Sequence, residues 1–164
     1  MFNKGEMVVY GQTGVCVIED VCEKELIRNQ KRLYYVLKPC FQQNNVIYAP
    51  ADSDRVFIRP VITKQQADEL ILSIPKITEK MTKGEMTQQD YRAELATHDC
   101  KDLVELTAKI YEKKQSANAN KKKLGFADEK YMKLAENLLF GELSVALDIP
   151  YDEVKGYITR KLKK

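Results

Sequence analysis

Four cysteines and one histidine are the residues of this 164-residue chain best suited to metal or nucleophilic chemistry. Cys16, Cys22, Cys40 and Cys100 are separated by 6, 18 and 60 positions, with no C-x-x-C pair. Zinc sites and redox dithiols usually use close pairs. Cys16 sits in the apolar run Val15-Cys16-Val17-Ile18 and reads as a small buried hydrophobe. The thiols are expected to be reduced, as in a cytoplasm. His98 lies between Thr97 and Asp99, where it reads as a loop or first-turn residue. No Ser-His-Asp or Cys-His arrangement can be assembled around it. Gly11-Gln12-Thr13-Gly14 resembles a phosphate loop in its glycines only. The Gly-Lys-Ser/Thr that would supply the lysine and the magnesium ligand is missing, so a strand-to-strand turn is expected. The chain is therefore expected not to be an enzyme, and to use no metal, cofactor or small-molecule substrate.

Charge is the other chemical resource. Lysine and arginine number 27 and acidic residues 24, for a net charge of +3. That is too small to imply a nucleic-acid partner, and the basic residues matter by position. Lys121, Lys122 and Lys123 are adjacent, and Lys155 to Lys164 holds five basic and no acidic side chains. Lys76, Lys80, Lys83 and Arg92 lie near the start of the second half. Such clusters either meet phosphates or simply solvate a surface. No base-reading signature accompanies them.

The elements that must carry these groups change period midway. Met7–Tyr10, Val15–Val21, Leu33–Leu37, Val46–Ala49 and Val56–Ile58 are short runs of β-formers punctuated by Gly11, Gly14, Pro39, Pro50 and Pro60. They predict a small antiparallel barrel or sandwich. Between the second and third runs, Glu23–Arg32 reads as a polar hairpin with Asn29-Gln30 at its tip. Leu26 and Ile27 there either cap the core edge or mark a strand edge open to another protein.

After Thr63 the spacing is helical. Thr63 and Gln66 form a capping box, Ala67, Leu70, Ile71 and Ile74 follow, and Pro75 is expected to end the helix. Further helices are expected from Thr87 (Tyr91, Leu95), from Asp99 (Leu103, Leu106, Ile110), after Gly125 and Asp128 (Tyr131, Leu134, Leu138 and Leu139) with a bend at Gly141, and near Pro150 (Val154, Tyr157, Ile158). Gln115–Lys123 reads as a polar loop. The fold class is α+β, with a boundary at 60/61. Apolar residues make up 44% and charged residues 31%, a soluble composition. No apolar run approaches the roughly 20 residues of a membrane span, and Met1–Tyr10 has no signal-peptide pattern.

The run Phe2-Asn3-Lys4-Gly5-Glu6-Met7-Val8-Val9-Tyr10-Gly11-Gln12-Thr13-Gly14-Val15 resembles the start of the CarD/CdnL family of bacterial transcription regulators. The likeness continues through Leu33–Lys38 and Val46–Ala51, and returns at Leu134-Ala135-Glu136-Asn137-Leu138-Leu139-Phe140-Gly141-Glu142-Leu143. The first motif is shared with the polymerase-interacting module of transcription-repair coupling factors. The resemblance implies a Tudor-like β-barrel that binds the β subunit of bacterial RNA polymerase, through Lys24, Glu25 and Leu26 on the hairpin and Tyr48 on the fourth strand. It also implies a helical domain touching promoter DNA near the upstream edge of the transcription bubble and stabilising the open complex. Many members place a tryptophan wedge near the start of that domain. This chain has no tryptophan, and the aligned position falls near Gly84. Lys80, Lys83, Met86, Arg92 and Lys121–Lys123 are then the residues left to meet DNA, with Met86 able to act as an apolar wedge. The alternative is a polymerase-binding adaptor that recruits or excludes other proteins without touching DNA.

Overall fold

The computed structural model describes residues 2–42, 45–52, 57–79 and 87–163. The chain divides into two compact units, Met1–Val61 and Ile62–Lys164. The first holds β1 (Met7–Tyr10), β2 (Gly14–Ile27), β3 (Gln30–Pro39), β4 (Ile47–Pro50) and β5 (Ile58–Pro60). They form one antiparallel sheet in the order β4-β3-β2-β1-β5. The glycine turn expected between β1 and β2 is present as a 3-10 turn at Gly11–Thr13. Gly14 has φ +88° and ψ −149°, a region essentially closed to other residues. The inward set is Val8, Cys16, Ile18, Tyr35, Leu37 and Ala49. A bulge between Ile18 and Asp20 shifts the register by one residue. It leaves Glu19 and Asp20 exposed and turns Val21 inward opposite Tyr35.

Cys16 is fully buried, and burial first, with the neighbouring Cys40 thiol second, pushes its pKa up to about 12. The four cysteines form no disulfide.

Two sequence expectations change here. The barrel does not close. β4 and β5 are the sheet's two edges, and nothing joins them among the described residues. Each has only three or four residues and ends in a proline, which has no N–H to donate. The polar hairpin is also more regular than expected. β2 runs to Ile27 and β3 starts at Gln30, so the tip is Arg28-Asn29, one residue earlier. Asn29 takes the left-handed conformation at φ +63°, which asparagine tolerates better than most residues.

The second unit is all helical: α1 (Lys64–Glu79), α2 (Gln88–Ala96), α3 (Cys100–Ala119), α4 (Phe126–Leu147) and α5 (Val154–Leu162), the last preceded by a 3-10 turn. Three of the five predicted starts, at Thr63, Thr87 and Asp99, are formed as expected. Gln66 N donates to Thr63 Oγ1 at 3.1 Å while Thr63 N donates to Gln66 Oε1 at 2.9 Å. Thr87 and Asp90 make the same reciprocal box, and Asp99 accepts from Lys101 N. One core gathers Ile71, Tyr91, Leu95, Leu106, Ile110 and Leu143 with their neighbours.

Helix lengths are where packing overrides local signals. α1 continues through Pro75 to Glu79. An interior proline costs about 3 kcal/mol, but Ile74 and Ile77, on either side of it, both pack on the core. α3 runs on to Ala119, so most of the expected 115–123 loop is helix. No glycine or proline interrupts Ile110–Ala119. α3 ends at Asn120 in a Schellman motif, with Lys121 at φ +55°, Lys122 N donating to Ala117 O at 2.7 Å and Lys121 N to Asn118 O at 3.0 Å. α4 passes through Gly141 without ending. Its fully buried stripe is Tyr131, Ala135, Leu139 and Leu143, leaving Leu134 and Leu138 partly buried.

Asp128 lies inside the first turn of α4, not before it. It ties three helices together. Tyr91 Oη of α2 donates to its Oδ1 at 2.6 Å, and Lys113 Nζ of α3 lies 2.9 Å from its Oδ2. Burial works to raise the Asp128 pKa, but these two donors and the lysine charge hold it below the ordinary value. Burial, then the bond to Asp128, pushes the Tyr91 hydroxyl well up. A second buried carboxylate, Glu142, accepts from Ile62 N at 3.0 Å and from Cys100 Sγ at 3.1 Å. Tyr91→Phe removes one donor from a buried carboxylate, so it should lower unfolding free energy by about 1–3 kcal/mol. Urea titration of the two proteins checks this, with an unchanged midpoint refuting the network's importance.

Candidate polymerase-binding arm and basic surfaces

β2 is much longer than its neighbours. β1 pairs with Gly14–Val17 of β2, and Glu6 O still accepts from Ile18 N. Beyond Ile18, no described strand pairs with β2 on that side. On the other side β4 pairs with Tyr34–Leu37 of β3. Leu33 O still accepts from Ala51 N at 2.9 Å, so residues 19–27 and 30–32 extend past both neighbours as a two-stranded arm whose outer β2 edge no described strand claims.

The four residues assigned to polymerase binding all lie on or beside this arm. Lys24 and Tyr48 are brought together across β3. Lys24 Nζ is 3.4 Å from Tyr48 Oη and 4.5 Å from the ring centroid, a cation–π geometry. Leu26 is 54% exposed, so it does not cap the core edge. Glu25 Oε1 accepts from Asn29 N at 2.8 Å and so braces the turn. Ile27, weighed together with Leu26, is exposed as well. Sequence reading missed two features: Leu33 is also exposed, and Arg32 pairs with Asp52 at 2.8 Å. The Arg32 hydrogen bond is the main reason that the Asp52 carboxyl is held below its usual pKa. The polar run Glu23–Arg32 with a turn residue, Asn29, inside it was the available signal for a hairpin arm. Nothing local linked Arg32 to Asp52.

Of the residues assigned to DNA, the described ones lie on different elements. Lys80, Lys83 and Met86, with Gly84, lie outside the described residues. Arg92 is in α2, and its Nε donates to Tyr131 Oη at 3.0 Å, which commits part of the guanidinium to α4. Lys121, Lys122 and Lys123 are exposed in the α3–α4 turn. No helix among the described residues is long and apolar enough to cross a membrane.

One acidic cluster was not foreseen. Glu94, Asp102 and Glu105 bring carboxylate oxygens within 4.8 Å of one another between α2 and α3. Lys109 lies 3.3 Å from Glu105, and Thr97 Oγ1 donates to Asp102 at 2.6 Å. These partners belong to the fold, and the cluster needs no ion to explain it. Burial first, then repulsion from Glu105 and Asp102, raises the Glu94 pKa to about 6.

Residues 2–62 match the CarD-like/TRCF RID domain family. The sheet unit is thus a CarD-like RNA-polymerase-interacting domain, and the protein is one that interacts with RNA polymerase. No curated protein matches the chain.

Because the folded state raises the Glu94 pKa, its stabilising effect is present at low pH. That effect is lost as pH rises from about 4.5 through about 6. Glu94→Gln should therefore raise the melting temperature at pH 7.5 by a few degrees, with the gain vanishing near pH 4. Thermal melts across that range test it, and a gain independent of pH would rule out the electrostatic cause.

Proposed function

We propose that this protein is a bacterial, cytoplasmic transcription regulator that grips the β subunit of RNA polymerase with its sheet arm. Lys24, Glu25, Leu26 and Tyr48 form the grip. The helical unit then contacts promoter DNA near the upstream edge of the bubble and modulates the stability of the open complex. It acts by binding rather than catalysis. The single observation that carries this reading is the unpaired β2 edge with Leu26 and Ile27 exposed, in a domain of the RNA-polymerase-interacting type.

The mechanism follows from an exposed edge beside an apolar contact. Backbone N–H and C=O groups of β2 can continue a partner's sheet, while Leu26 and the Lys24–Tyr48 pair supply selectivity. Anchoring then raises the local concentration of the helical unit at DNA to about the millimolar range for a short tether. A chain of net charge +3 needs such help, because weak phosphate contacts are strongly screened by salt.

The adaptor reading, in which the helical unit meets protein rather than DNA, is favoured by one observation: Arg92 is already bonded to Tyr131. Footprinting of a promoter–polymerase complex separates the two. Altered protection at the upstream bubble edge supports DNA contact, and an unchanged pattern supports the adaptor.

Leu26→Asp places a charge in the apolar part of the grip. Since Leu26 is exposed, the fold should be unaffected. Capture of the polymerase β lobe should fall at least tenfold, along with any effect on open-complex lifetime. Unchanged capture by the folded variant would remove the arm from the interface.

A further inference from the structure

The basic residues are unevenly distributed along the helical unit. Between positions 109 and 133 there are eight lysines and three acidic residues. This stretch alone is more positive than the whole chain at +3, so the remainder is net negative. Two of its lysines are taken: Lys109 by Glu105 and Lys113 by Asp128. Lys114, Lys123 and Lys133 line a groove beside α4, but Glu129 and Glu136 line it too. The groove itself is therefore a poor polyanion site.

The α3–α4 turn is different. Among the described residues no carboxylate pairs with Lys121, Lys122 or Lys123. The Schellman bonds to Ala117 and Asn118 fix the backbone of Lys121 and Lys122, and Lys123 follows directly, so the cations are presented by an ordered turn. Three residues on, Phe126 opens α4 and is 86% exposed, the most exposed of the large apolar side chains. A lone exposed phenylalanine is unremarkable. One beside three unpaired lysines is the combination that single-stranded nucleic acid uses, with cations along the backbone and an aromatic face for a base. A paired duplex keeps its base faces stacked and admits such a ring only where a base step is opened at a cost, so an unpaired base is the better partner.

We propose that the α3–α4 turn is a contact for single-stranded nucleic acid, in which Phe126 stacks on an unpaired base and Lys121–Lys123 meet the flanking phosphates. This rests on the promoter reading above and gives it a ligand, the melted strand rather than the duplex. It also supplies an aromatic group in a chain without tryptophan. No covalent step is involved.

The test is fluorescence anisotropy of full-length protein with a labelled oligothymidylate and with a duplex of equal length. Phe126→Ala should weaken single-strand binding by about 5- to 100-fold, the range of one lost stacking contact, and leave duplex binding unchanged. Phe126→Tyr should retain it. Replacing Lys121, Lys122 and Lys123 by Ala should weaken both and reduce the logarithmic salt slope for the single strand by about 2. Equal single-strand affinity for wild type and Phe126→Ala overturns the proposal. So does loss of binding to phosphatidylserine vesicles in Phe126→Ala when the wild type binds no oligonucleotide, which would assign the turn to a lipid surface. If the wild type ignores the oligonucleotide yet footprints the bubble edge with polymerase, this inference fails and the promoter reading stands. If it binds the oligonucleotide through Phe126 but leaves no footprint, the contact stands and the promoter reading fails.

Discussion

A strand of fourteen residues flanked by neighbours of four and ten cannot be satisfied along its whole length. That mismatch governs the sheet unit. Where β1 and β4 reach, alternate side chains bury a small core of valine, isoleucine, tyrosine and leucine. Where they do not, the same chain becomes an arm held by one ladder. Such an arm would be marginal by itself. Here the bulge at Ile18–Asp20 and the turn at Arg28-Asn29 fix its register, and the Lys24–Tyr48 and Arg32–Asp52 pairs fasten one face to the β4 side. Rigidity at the base and an open edge at the side are what a strand-pairing surface needs, since a flexible edge would lose ordering entropy on docking.

The helical unit solves a different problem. Its core is continuous and apolar, yet two carboxylates are buried in it. Asp128 is satisfied by Tyr91 and Lys113, and Glu142 by Ile62 and Cys100. No buried side-chain polar atom among the described residues lacks a partner. Each carboxylate draws donors from separate segments, so removing one donor is felt at a distance in sequence. Polar bonds of this kind restrict which helix pairings are compatible with a dry core.

Much of this was legible in sequence. Short apolar runs ended by glycine or proline located four strands and met the fifth only at Ile58, and the Thr63, Thr87 and Asp99 caps located three helix starts. The failures share one cause, which is that local signals do not report long-range packing. Pro75 reads as a stop, but Ile77 beyond it finds the core. The polar Gln115–Ala119 stretch reads as a loop, but nothing in it breaks a helix already nucleated upstream. Barrel closure depends on strand length rather than strand existence, and residues 53–56 lie outside the described residues. Lys24, Glu25, Leu26 and Tyr48 were assigned from the family resemblance alone, and no local pattern linked Lys24 to Tyr48. Phe126 was missed because exposure has no signature in a single sequence, and a phenylalanine at a helix start looks like a staple.

The amide of Ile62 has a consequence for dissecting the molecule. It is the first residue of the helical unit, and its N–H is a donor to a carboxylate 80 positions away that is 1% exposed. A shortened chain that begins at the helix cap, Thr63, would keep every helix and still take one backbone donor from that buried carboxylate. The severed half would then misbehave for reasons unrelated to its partner. Any cut intended to separate the halves belongs upstream of Ile62.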